Sequence, residues 1–109
     1  EGPVIMCTIP ADGNIDVTII ISCTSDISMP PTQVWLHQLG GNGWVNIQSD
    51  TISGKEFQIS HAFAQKGLAE LKVLYPGLQD NVSTWWSNTM SISILQPTSN
   101  SSKISKQGS

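Results

Sequence analysis

The chain has 109 residues, a formal net charge of −3, two cysteines, and charged side chains at only 12% of positions. That length holds one ordinary domain able to bury its own core without metals or several disulfides. The five cations, Lys55, Lys66, Lys72, Lys103 and Lys106, are scattered and there is no Arg, which argues against nucleic acid as a partner, and no apolar run approaches the ~20 residues of a bilayer-spanning helix.

Apolar residues recur with period two almost throughout, and no segment shows helical spacing. Val4 to Ile9 reads as a first strand, ended by Pro10 and a tight turn at Ala11 to Asn14. The opening residues EGPV read as a mature or excised N-terminus. Ile15 to Thr24 is the clearest strand, with Ile15, Val17, Ile19, Ile21 and Cys23 on one face. Ser25 to Pro31 is expected to be a loop, because consecutive prolines cannot donate to a ladder. Gln33 to Gln38 and Trp44 to Ser49 form strands three and four around the glycine-rich turn LGGNG. Glu56 to Phe63 is a fifth strand and Leu68 to Tyr75 a sixth, the latter with Ala69, Leu71, Val73 and Tyr75 inward. Ser87 to Leu95 closes the set, with Met90, Ile92 and Ile94 inward. Residues 97–109 lack the apolar content to pack and are expected to be a disordered tail or linker, leaving residues 1–96 as the domain.

Seven short strands with regularly spaced turns predict an all-β, seven-stranded Greek-key sandwich. The runs QVWLHQLGGNGWVNI, AFAQKGLAELKVLYPG and WSNTMSISI resemble immunoglobulin-like or fibronectin-III-like modules of bacterial secreted and surface proteins over roughly the last two-thirds of the chain. The resemblance implies a secreted or cell-surface location and a role as spacer, adhesion unit or glycan-binding appendage beside flanking domains of a larger protein. One departure is plain: no Cys lies on the sixth strand, so the inter-sheet bridge of antibody-type domains cannot form.

Little in the sequence announces catalysis or a cofactor. His61 shares the inward parity of Phe57, Ile59 and Phe63 and reads as a semi-buried structural residue, while His37 falls near a hairpin end. Neither has zinc-ligand spacing. The chain reads as non-enzymatic, with a small secreted hydrolase as a remote alternative. Asp12, Asn14 and Asp16 alternate like calcium ligands, but Val17 and Cys23 stand where an EF-hand needs Gly and Glu. An Asx-stabilised turn accounts for Asp12 and Asn14 without a metal. Asn81 and Asn100 begin N-glycosylation sequons. Cys7 and Cys23 either pair or remain two buried thiols. A tight turn at Ala11 to Asn14 would put Cys7 opposite Thr18, too far from Cys23 to bridge unless the first strand bends or changes sheet.

The four tryptophans, against two Phe and one Tyr, are the informative residues. With Val34 and Leu36 inward, Trp35 and His37 face out; with Val45 and Ile47 inward, Trp44, Asn46 and Gln48 face out. Inward Trp35 together with Leu39 is also self-consistent. Counting back from Met90 and Ile92 turns Trp85 outward and Trp86 inward. Strands three, four, six and seven would then carry an outer aromatic shelf. Trp35, Trp44 and Trp85 would stack sugar rings there, and Glu70, Gln48 and Asn46 would bind hydroxyls. A polysaccharide or glycan is the expected ligand, and a flanking protein domain the alternative occupant.

Overall fold

The structure, a computed structural model, describes residues 3–76 and 85–97. Its elements are β1 (Ile5–Thr8), β2 (Asp12–Asn14), β3 (Thr18–Gly40), β4 (Gly43–Ala62), β5 (Gly67–Tyr75), β6 (Trp85–Trp86) and β7 (Met90–Leu95). No helix occurs among the described residues, and none is long and apolar enough to cross a membrane.

Two expected strand pairs are each one long strand. The sequence boundary at Ser25 to Pro31 fails because strand geometry survives where the ladder does not. β3 and β4 pair regularly from Thr18↔Ala62 to Thr24↔Glu56, meet once at Met29↔Gly54, and resume at Thr32↔Ile52. The prolines Pro30 and Pro31 occupy this interrupted stretch, where a missing N–H costs no ladder bond. Gly54 supplies a positive φ of 84° opposite Met29, a backbone state that suits glycine at a corner.

The corner folds the β3–β4 ribbon into two layers. The smaller layer holds β1, the first half of β3 and the second half of β4. The larger runs from the first half of β4 through the second half of β3, then β5, β7 and β2. Between them lies one core, with Ile21, Leu36, Ile59, Leu71, Val73 and Ile92 at 1% exposure or less. At roughly 25 cal/mol per Å² of apolar surface removed from water, this burial is the main stabilising term.

The first turn is also corrected. Ala11 to Asn14 is not a hairpin turn: Asp12–Asn14 is a strand pairing in parallel with Ser93–Leu95. The chain leaves β1, crosses to the larger layer, and returns through a turn in which Val17 N–H donates to Asn14 O, with Asp16 at φ 62°. A Cβ added at Gly13 would sit 3.0 Å from Ile19 Cγ2, so glycine lets β2 lie this close to the core. Because the crossing absorbs the intervening residues, Cys7 lies directly opposite Cys23 and the two are disulfide-bonded.

The layers are also pinned at the far end. Asn88 Oδ1 accepts from Cys7 N–H at 2.7 Å and Asn88 Nδ2 donates to Cys7 O at 2.9 Å, satisfying both backbone groups of one residue. Ser87 Oγ accepts from Val73 N–H at 2.8 Å, and Ser87 N–H donates to Val73 O at 2.8 Å. The Ser-Asn pair before the last strand is therefore a clamp between layers.

Candidate functional site: the outer face of the larger layer

The register places side chains in rows across this face. Ser49, Trp35, Leu74 and Trp86 form one row, and Asn46, His37 and Lys72 the next. Trp44 opposes Leu39 in the third row, and Glu70 opposes Ser91. The two-residue turn Gly41–Asn42, with Gly40 opposite Gly43, sets this phase and puts Trp44 on the face of Trp35. Trp35 is half-buried with Val34 and Leu36 in the core, so its side chain belongs to the outer face.

Trp44 and Trp86 converge on Lys72. The Lys72 ammonium lies 4.4 Å from the Trp44 ring centroid and 3.9 Å from that of Trp86. The two indole centroids are 6.3 Å apart at 42°, and the His37 ring meets Trp86 edge-on at 4.9 Å. His37 Nδ1 lies 3.3 Å from Trp35 O. Positive charge sits between two π faces, an arrangement whose attraction comes from the ring quadrupoles.

Two of the six residues expected on this face belong elsewhere. Trp85 points inward, opposite Tyr75, and stacks on that ring at 5.5 Å and 25°. The count from Met90 misplaced it because Ser87, Asn88 and Thr89 are not in strand conformation and shift the phase by one. Trp86, expected inward, is 40% exposed. Gln48 also turns inward: a bulge between Leu36↔Gln48 and His37↔Asn46 inserts Ile47 and reverses the side beyond it. Val45, expected in the core, is exposed. Trp35, Trp44, Asn46 and Glu70 do lie on the outer face. Sequence reasoning turned Lys72 and His37 outward without giving either a role, and it turned Trp86 inward. The alternation of Leu68 to Tyr75 already turned Lys72 outward, but nothing local brings two indoles to it.

Gln48 instead bonds at the open edge between the layers. Its Nε2 donates to Asp50 Oδ2 and to Ser60 O, both at 2.7 Å, and its Oε1 lies 2.7 Å from His61 Nδ1. His61 meets Phe63 edge-on at 4.6 Å and lines an open depression of about 360 Å³ with Gln38, Ile47 and Phe63. Burial lowers the His61 pKa below 6.5, and the Asp50 charge partly opposes it. The sign follows: the unfolded chain takes up the proton first as pH falls, so stability is full above about 6.5 and declines below it. Urea midpoints should fall between about pH 7.5 and about pH 5.5, and less so in His61→Gln; equal declines in both proteins would remove His61 as the cause.

The calcium-like residues are dispersed in role: Asp12 and Asn14 are exposed on β2, and Asp16 forms the following turn. Among the described residues no group of three or more His, Cys, Asp or Glu comes together. Asn81, Asn100 and the tail from residue 98 lie outside the described residues.

No family model matches the chain, and no curated protein matches it by sequence. Among solved structures, a CARDB domain from Pyrococcus furiosus in complex with di-metal ions is similar with a TM-score of 0.57 at 14% identity, over 88% of this chain and 94% of that one. The PKD domain of an M14-like peptidase from a Thermoplasmatales archaeon is similar with a TM-score of 0.46 at 17% identity, over 90% and 98%. Likeness at such identity speaks for the fold alone, and that fold is an all-β, immunoglobulin-like sandwich.

Proposed function

We propose that this chain is a non-catalytic module of a secreted or surface protein, and that it binds a glycan on the outer face of its larger layer. The observation that carries the reading is the gathering of Trp44, Trp86 and His37 around Lys72 on the side of the sheet away from the core. Indoles contribute little to a fold from that side, whereas sugar rings stack their C–H faces on them. Asn46 and Glu70 stand in the same rows and offer an amide and a carboxylate for hydroxyls.

Affinity electrophoresis through gels containing cellulose derivatives, chitin, xylan, mannan, starch or polygalacturonate tests this. At least one polymer should retard the protein. Trp44→Ala should weaken that retardation about tenfold, the order of one lost aromatic anchor, with a loss of unfolding free energy below about 1 kcal/mol. Free migration through every polymer would sink the proposal.

A second reading has its own support. Leu39 at 42% and Leu68 at 67% exposure extend the outer face with surface that makes no hydrogen bonds. That suits a spacer or adhesion domain whose tryptophans pack on a neighbouring domain.

A further inference from the structure

We infer that the outer face selects an anionic polysaccharide, one bearing uronate carboxylates, and that Lys72 is the residue that sets this selection. The inference rests on the glycan reading above and narrows its ligand. It starts from what occupies the indoles. An unencumbered tryptophan shelf offers flat, neutral faces to pyranose rings of any kind. Here one face each of Trp44 and Trp86 is turned toward an ammonium, with the rings 42° apart instead of coplanar. A neutral sugar seated between the rings would displace that ammonium and forfeit both cation–π contacts.

A carboxylate has no such conflict. The ammonium carries three N–H donors, and the ring faces it contacts bring it no formal negative charge. A carboxylate at the mouth of the cluster can accept a charge-assisted hydrogen bond from Lys72 Nζ while the lysine stays where it is. The two contacts then cooperate, because the rings hold the ammonium in place before the ligand arrives and less ordering remains to be done on binding.

The rows fix where the carboxylate goes. Lys72 lies beside His37, with Asn46 the next residue across the row, whereas Glu70 lies two residues back along β5, opposite Ser91. Repulsion from Glu70 turns an acidic ligand toward the His37 and Asn46 side. Lysine suits this task as a compact point charge that does not demand bidentate geometry.

Polygalacturonate and its fully methyl-esterified form share one backbone and differ in charge, so they isolate the charge effect. Titration calorimetry should show binding to polygalacturonate, weakened about tenfold by esterification and by Lys72→Gln, the order of one charge-assisted hydrogen bond. Lys72→Arg should keep most of the affinity, and about 1 M salt, where the screening length is about 3 Å, should remove most of it. The melting temperature of Lys72→Gln should match the wild type within the change produced by Lys72→Arg. Equal affinity for both polymers, or full affinity in Lys72→Gln, would overturn the inference. Binding to neutral xylan or mannan with Lys72→Gln unaffected would do so while leaving the glycan reading intact. Failure to bind any polymer would end both.

Discussion

Trp85→Ala should lower the unfolding free energy by about 3 kcal/mol, and Trp86→Ala by less than about 1 kcal/mol, although the two residues are adjacent and chemically identical. Trp85 is stacked on Tyr75, itself 5% exposed, and packs against the core cluster. Its truncation removes a large apolar surface and leaves a void that the two layers cannot close, since Ser87 and Asn88 hold the neighbouring backbone on fixed partners. Trp86 loses an exposed contact with Lys72 and His37, interactions worth about 0.5–1 kcal/mol on a wet surface. Urea unfolding reads the difference. With a slope of about 1.5 kcal/mol per M, the midpoint should move by about 2 M for Trp85 and by a few tenths for Trp86. The reverse order would mean that the last strand keeps its phase through Ser87 to Thr89 and that Trp86 is the core residue.

Removing the Cys7–Cys23 disulfide should cost about 3 kcal/mol, the loop entropy released when a 16-residue separation is no longer closed. The loop it closes is the excursion that carries β2 from one layer to the other. Without the bond, β1 is held by a four-residue ladder to β3 and by the Asn88 clamp. Against a total stability of about 5–15 kcal/mol for a domain of this kind, the bond is a large share. The Cys7→Ala, Cys23→Ala double variant should show a urea midpoint about 2 M lower than the oxidised wild type, with reduction of the wild type producing most of the same shift. An unchanged midpoint after verified reduction would show that the strand ladder and Asn88 suffice.

Much of the architecture was legible because burial on one face of a strand imposes period two. Ile19, Ile21 and Cys23, then Ala69, Leu71, Val73 and Tyr75, then Met90, Ile92 and Ile94 are inward as the alternation requires. The same rule failed wherever a register shift intervened. The bulge at Ile47 turned Gln48 to the inner side, and the break at Ser87 to Thr89 exchanged Trp85 with Trp86. Such shifts are set by which strands meet, and no local signal in those segments marks them. Pro30 and Pro31 misled in the opposite way: proline excludes a ladder bond but not an extended backbone, so a loop was expected where the ribbon only bends.

The sequence by itself determined an all-β chain with one core and most of the inward set of its regular strands, though Val17, read on the inward face, is exposed, and the side of Trp35 stayed open until the strands were paired. The core and that inward set follow from alternation, which is local and survives any arrangement of partners. Only the tertiary structure decided that Cys7 faces Cys23 and that Trp44 and Trp86 close on Lys72. Each joins residues whose neighbourhood depends on a crossing, a bulge or a turn elsewhere in the chain, and their relative positions exist only once the layers are paired.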